Sequence, residues 1–380
     1  MVGNKLNIIS ISDIHLGHRR VKAETIIKRL NKLLPFNDSM NEVDLIVLVG
    51  DVFDADLSLG DKSIAYIQIW IVRLLTLCKR YNIVLRVLYG TPSHDRKQSK
   101  QFNILNRVTK LNVDLKYVET LSIEYNEQFD KHFLYVPDEW RGDTNQTKLE
   151  VIELLKENNI DKVDYAFMHG CFKYQLPDLK HLSYHDADFY LSITRKYIFI
   201  GHHHHMSRYD RILAQGSADR LCHGEEHDKG FFNVVSYDDS FDQDTIIFIV
   251  NKEATIFKTL NLVGYDKEEV EDILNQLILD LKPNLTEEEM HIKLILEKNG
   301  GYDDVINAFK RCFANIKWTT EVEEADSKDK KTITSSLVYK PVPINENTIN
   351  GIILNRLNSL GIEEELIGCS MELLNEIKRL

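Results

Sequence analysis

Leu6-Asn7-Ile8-Ile9-Ser10-Ile11-Ser12-Asp13-Ile14-His15 is an apolar, β-branched run that stops abruptly on an acid and a histidine. A run this short reads as a buried strand. The same form recurs four times. Leu45–Val49 runs into Gly50-Asp51, and Ile83–Tyr89 runs into Gly90-Thr91-Pro92-Ser93-His94-Asp95. Tyr165–Met168 runs into His169-Gly170, and Tyr197–Ile200 into Gly201-His202-His203-His204. In open α/β sheets ligands gather just past the carboxyl ends of the strands. Asp and His repeated at those ends make a metal site the leading reading.

The 380 residues allow two or three domains and a substantial core. With 28% charged and 43% hydrophobic residues, the chain falls in the soluble globular class. No stretch approaches the roughly eighteen apolar residues that a membrane span needs. The N-terminus carries no secretory pattern. Five cysteines, Cys78, Cys171, Cys222, Cys312 and Cys369, are scattered without a CxxC pair. That argues against a disulfide framework or zinc ribbon and for a reducing, cytoplasmic compartment. A net charge of −12 excludes bulk basicity as the means of holding nucleic acid. Local basic patches remain, at Arg19-Arg20, Arg96 to Lys110 and Arg195-Lys196.

Residues 1–255 alternate strands and helices and are expected to form the main domain. The spacing predicts helices over Val21–Leu34, Ser63–Arg80 and Gln146–Glu157, the last with Leu149, Ile152 and Leu155 on its apolar face. Phe231–Val235 and Thr245–Val250 read as strands. Residues 256–322 are expected to form a small separate α+β unit: helix Lys267–Leu281, strand His291–Leu296, helix Asp303–Cys312 and strand Ile316–Val322. Residues 323–345, with Asp326-Ser327-Lys328-Asp329-Lys330-Lys331, read as a linker. Residues 346–380 read as two helices with apolar stripes, Ile349, Ile352, Ile353, Leu357 and Leu360 on the first, and Leu366, Met371, Leu374 and Ile377 beyond it. The expected fold class is α/β: a two-sheet sandwich flanked by helices, with the metals at one edge.

Asp13 and His15 at i and i+2 can reach one ion from a strand end, as can His202 and His204. Gly50 allows a sharp turn that presents Asp51. Taken singly, each is as well explained by a turn or a packed histidine. Their order changes that: Asp-x-His, Gly-Asp, Gly-x-x-Ser-His-Asp, His-Gly, Gly-His-x-His.

In that order the chain resembles the calcineurin-like metallophosphoesterase superfamily. Gly216-Ser217-Ala218-Asp219-Arg220, Gly224-Glu225-Glu226 and Lys229-Gly230-Phe231 are similar to a stretch of the SbcD/Mre-type DNA-repair nucleases. The resemblance covers residues 5 to about 235, and beyond 250 only the general plan matches. It implies that Asp13, His15 and His204 hold a first metal, that Asp51 bridges, and that His169 and His202 hold a second. His94 matches the family's catalytic, non-ligand histidine. The family's third motif is Gly-Asn-His-Asp. If two extra residues are inserted here, Ser93 takes the place of the metal-binding asparagine. Asp95 orients His94 or caps the following helix. Mixed imidazole and carboxylate ligands suit Mn²⁺, Fe²⁺ or Zn²⁺ better than Mg²⁺, and the resemblance favours two Mn²⁺ ions.

The implied activity is a metal-dependent double-strand exonuclease and single-strand endonuclease, with Arg19, Arg20, Arg96, Lys97 and Arg220 as DNA contacts. Residues 256–322 would be a DNA-facing cap, and residues 346–380 would dock an SbcC-type coiled-coil ATPase, giving a homodimer within a heterotetramer. The unusual third motif and the Lys-, Asn- and Ile-rich composition suggest a phage-encoded member acting in the host cytoplasm. Two rivals share the motifs. One is a phosphomonoesterase or cyclic-nucleotide phosphodiesterase. The other is a non-catalytic subunit of a DNA complex whose second metal site has decayed at Ser93.

Overall fold

A computed structural model describes residues 5–58, 60–138, 143–175, 184–238, 240–281 and 290–323. The linker beyond residue 323 and the two C-terminal helices with their apolar stripes lie outside the described residues. The chain runs β1 (Lys5–Ile11), α1 (Ala23–Leu33), β2 (Leu45–Val49), α2 (Ser63–Tyr81), β3 (Val84–Leu88), α3 (Pro92–Asp95), α4 (Lys100–Val108) and β4 (Leu115–Val118). There follow β5 (Ser122–Asn126), β6 (Lys131–Val136), α5 (Thr144–Glu157), β7 (Tyr165–Gly170), α6 (Ala187–Ile193), β8 (Ile198–His202), β9 (Ser207–Tyr209) and β10 (Ile212–Ala214). The remainder is β11 (Gly230–Tyr237), β12 (Ser240–Val250), β13 (Ile256–Asn261), α7 (Lys267–Leu281), β14 (Met290–Glu297), α8 (Asp303–Cys312) and β15 (Lys317–Glu323).

Two six-stranded mixed sheets, ordered β12-β11-β1-β2-β3-β4 and β5-β6-β7-β8-β10-β9, form the main body. Strands β1 to β4 are parallel, as are β6, β7, β8 and β10. Strand parity builds the layers, because alternate side chains leave opposite faces. Leu6 and Ile8 of β1, Leu45, Val47 and Val49 of β2, and Phe133, Tyr135, Tyr165, Phe167 and Phe199 of the second sheet share one core. The other face of the first sheet, with Ile9, Ile11, Ile46 and Leu48, packs on α1, α2 and α4. The other face of the second, with Ala166, Met168, Ile198 and Ile200, packs on α5 and α6. The result is a helix–sheet–sheet–helix sandwich. No helix among the described residues is long and apolar enough to cross a membrane.

Two expectations are corrected. Helix α5 buries Thr147, Val151 and Leu155, whereas Leu149 is exposed. The i, i+4, i+8 row meets the sheet, and Leu149 lies off that row. The small unit is α/β rather than α+β: β13, β14 and β15 are all parallel, and α7 and α8 are the crossovers that parallel pairing needs. Its helices and sheet share their own core, including Leu274, Leu277, Ile292 and Leu294.

An ion pair inside the main body ties α1 to the chain beyond β10. Arg29 of α1 is buried and donates to Asp219 Oδ2 at 2.8 Å and to the Thr255 hydroxyl. Asp219 Oδ1 accepts the Thr255 N–H at 2.7 Å. Removing one partner strands a buried charge, which costs far more than the pair itself contributes. Arg29→Met is expected to lower unfolding free energy by about 3–5 kcal/mol, read from urea denaturation. An unchanged midpoint would show that the pair is solvated.

Candidate metal centre

The carboxyl ends of β1, β2, β3, β7 and β8 converge, and the side chains just past them face one another. Strand parity carries this over from the core. Val47, Val49 and Asp51 leave β2 on one face, and Tyr165, Phe167 and His169 leave β7 toward it. The backbone then turns sharply. Asp13, His15, Asp51 and His202 adopt φ of 51°, 53°, 47° and 96°, the left-handed region that non-glycine residues seldom occupy. Hydrogen bonds between the two loops hold these turns: Asp13 N–H to Gly50 O at 3.2 Å, and His15 N–H to Asp51 O at 3.0 Å. A Cβ on Gly50 would fall inside the His169 ring, and one on Gly90 would collide with Asp51. Both glycines are therefore needed for the close approach.

Three groups of donors result, with one ligand atom per residue and all atoms of a group within 4.8 Å of one another: Asp13, His15 and His204; Asp51, His169 and His202; and His15, Asp54 and His94. The Nε2 atoms of His15 and His204 face each other at 3.0 Å. Each ring points its Nδ1 at a carboxylate, His15 at Asp54 Oδ1 (2.9 Å) and His204 at Glu225 Oε1 (2.7 Å). Those partners assign the ring proton to Nδ1 and leave a lone pair on each Nε2. Two lone pairs this close repel unless a cation or a proton lies between them. Metal–nitrogen bonds of about 2.0–2.1 Å put neighbouring donors of one shell about 3.0–3.4 Å apart, and this pair fits that spacing. His169 has the same design, with Nδ1 on the Val49 carbonyl at 2.8 Å and Nε2 3.4 Å from Asp51 Oδ2. The donor chemistry therefore suits divalent cations.

The charges respond accordingly. Burial alone would push the His169 imidazole down, but the Asp51 carboxylate overrides it and raises it to about 10. Burial would raise Asp51, yet His169, His15 and His94 hold it well below the carboxylate range. Glu225 is likewise held low against its burial, by His204 and Lys229. His94 is raised above its ordinary value by its hydrogen bond to Asp54.

Of the sequence-predicted residues, Asp13, His15, Asp51, His169, His202, His204 and His94 come together. Ser93 does not. Pro92–Asp95 forms a helical turn, with the His94 and Asp95 N–H groups both on Thr91 O at 2.9 Å, and Ser93 is exposed on it. Thr91 is the residue that meets the second group. Its hydroxyl lies 3.1 Å from Asp51 Oδ2, 3.4 Å from His169 Nε2 and 3.2 Å from His202 Nδ1. Thr91 follows Gly90 directly, and Pro92–Asp95 then turns the chain away from the donors. The Asp95 side chain does not reach the His94 ring. It is fully buried, accepts Gly90 N–H at 3.2 Å and the Ser99 hydroxyl at 2.8 Å, and burial pushes it up to about 6.

Asp54 orients His94 instead, with the same Oδ1 that holds His15, at 3.2 Å from His94 Nδ1. Its position three residues after Asp51 was the available signal. Glu225 gains its role from Lys229, which is fully buried and donates to Glu225 Oε2 (3.1 Å), His204 O (2.8 Å) and Ser217 Oγ (2.7 Å). Arg220 is committed inward, to the carbonyls of His227, Ala254 and Thr255. Arg19, Arg20, Arg96 and Lys97 are exposed, Lys97 pairing with Glu119 at 3.1 Å. The donors open into a cleft of about 180 Å³, also lined by His18, Leu221 and Cys222.

No protein-family model matches this sequence, and no curated protein matches it. Among solved structures, one crystal structure aligns with a TM-score of 0.38 and 10% identity, over 64% of this chain and 99% of that one. Likeness at that level carries no argument about family or function.

Carboxylates behind metal-binding imidazoles typically matter by about 10- to 100-fold in affinity. Glu225→Gln is therefore expected to weaken Mn²⁺ binding by about that factor while leaving the circular dichroism spectrum intact. Calorimetric titration with the metal alone checks it, and an unaltered dissociation constant would remove Glu225 from the centre.

Proposed function

We propose that this chain is a two-metal phosphodiesterase of the metallophosphoesterase type, acting on DNA, with manganese the leading metal. One observation carries the reading: two imidazole nitrogens held face to face at 3.0 Å, each backed by a carboxylate. Asp13, His15 and His204 would hold one ion, and His169 and His202 the other. Asp51 Oδ2, 3.9 Å from His15 Nε2 and 3.4 Å from His169 Nε2, is within reach of both. Thr91 supplies a neutral oxygen where the resemblance calls for an asparagine carbonyl. When bound, such a pair of cations neutralises a phosphodiester and activates water for attack.

The chain's own residues supply the rest. Asp13, His15, Asp51 and His169 are buried at the strand ends, while His94 keeps 41% of its side chain exposed and lines the cleft. Asp54 fixes its Nδ1, which leaves Nε2 to hand a proton to the leaving oxygen. Such an acid contributes about a hundred- to ten-thousand-fold. DNA as substrate is supported by the resemblance of residues 216–231. The exposed Arg19-Arg20 and Arg96-Lys97, which follow His15 and His94 in the chain, also favour it.

The test is incubation with Mn²⁺ and either labelled duplex and single-stranded DNA or p-nitrophenyl phosphate. DNA degradation abolished by chelator is expected. Turnover of the small ester alone would replace this reading with a phosphomonoesterase, and no turnover of either would leave a structural subunit. His94→Ala is expected to keep its metal and lose about a hundred-fold or more in cleavage, whereas Asp51→Ala is expected to lose both ions by metal analysis.

A further inference from the structure

Beside the metal centre, on the β7–β8 side, aromatic rings stack outward from the core. Phe172 is fully buried and lies parallel to Tyr174, with centroids 6.0 Å apart and planes at 12°. Tyr174 stacks on Tyr209 at 4.8 Å and 26°. Exposure rises along the series, from 0% at Phe172 to 37% at Tyr174 and 45% at Tyr209. The two tyrosines line an open cleft of about 780 Å³ with Asn145, Lys173, Tyr184 and His185. We propose that this cleft is a subsite for an unpaired nucleobase, stacked on the exposed tyrosines, which guides single-stranded DNA to the metal centre. The proposal rests on the nuclease reading above and names the form of DNA it serves.

The stack springs from the strands that carry the metal donors. Phe172 and Tyr174 follow His169 in the chain by three and five residues, and Tyr209 follows His204 by five. His185 closes the join: its N–H donates to Cys171 O at 2.9 Å, and its ring is edge-on to Phe172. It also packs against Gly170, where an added Cβ would meet its Nε2 at 2.9 Å.

Stacking between aromatic side chains and bases tolerates any sequence, because every base has a π face. A base inside a duplex has no free face, so this subsite selects single strands and frayed ends. Of the charged residues, Lys173, Asp186 and Asp188 line the cleft, whereas Arg208 leaves β9 on the other face, toward Tyr197 and Phe241. Asp186 on the far wall is paired with Lys148 at 2.7 Å. Tyr209 lies on a three-residue strand at the edge of its sheet and is 45% exposed.

The test is binding of a single-stranded oligonucleotide carrying 2-aminopurine, in chelator so that no cleavage occurs. Stacking is expected to quench the fluorescence on binding. Tyr209→Leu and Tyr174→Leu are expected to abolish the quench and weaken single-strand binding by about 5- to 100-fold. Tyr209→Phe should retain both, and the affinity for blunt duplex should stay within twofold in all three variants. Wild-type-like quenching and affinity in both leucine variants would overturn the subsite, as would the absence of any quench in the wild type. The two readings fail separately. Tyr209-dependent quenching without DNA cleavage would sustain the subsite and sink the nuclease. Cleavage of single strands that is indifferent to Tyr209→Leu, with no quench, would do the reverse.

Discussion

Two imidazole nitrogens that cannot both keep their lone pairs at 3.0 Å without something positive between them set the terms for the rest of this molecule. Neither ring is free to turn away. His15 is held by Asp54, and His204 by Glu225, which is anchored in turn by the buried Lys229. A buried lysine is costly unless paired, since burial pushes its charged form down. Its place is justified because it clamps three separate groups: the Glu225 carboxylate, the His204 carbonyl and the Ser217 hydroxyl. The loop 216–230 thus works as a brace for one imidazole on the far side of the centre.

The convergence also imposes backbone strain. Asp13, His15, Asp51 and His202 all sit at positive φ, which costs roughly 1–2 kcal/mol at each non-glycine position. Such strain persists only where its surroundings over-determine it. Here the surroundings are two sheets packed face to face, with Phe167 and Phe199 stacked at 5.3 Å immediately before the turns. The loops beyond β1 and β2 continue to pair after the strands end, through His15 N–H to Asp51 O and Leu16 N–H to Val52 O. The rigid core holds the donors where isolated loops would relax, so core and centre are one mechanical unit.

Much of this was legible because it obeys short-range rules. Helices α7 and α8 follow from their apolar period, and the five strand ends follow from β-branched runs that stop on Asp or His. Less is legible where geometry departs from local period or where partners are remote in sequence. Leu149 fits an apolar stripe on paper, yet Val151 and Leu155 meet the sheet, because the line of contact is set by the sheet. Spacing alone points to Ser93, whereas the fold places the Thr91 hydroxyl against Asp51, His169 and His202. Only the helical turn Pro92–Asp95 shows which residue is carried outward. Glu225 lies 21 residues from His204 and Asp54 lies 39 from His15. No periodicity links such pairs, so beyond the closeness of Asp54 to Asp51 in the chain, the pairing of these carboxylates with their imidazoles emerges from the fold.

The single oxygen Oδ1 of Asp54 holds both His15 and His94. This sharing couples a buried donor to an exposed ring, since the aspartate cannot shift toward one without loosening the other. Burial would raise the Asp54 carboxyl, yet His15 and His94 together hold it well below the carboxylate range. One charged oxygen therefore sets the orientation of both rings, the buried one and the half-exposed one. An independent carboxylate for each histidine would not tie the two together.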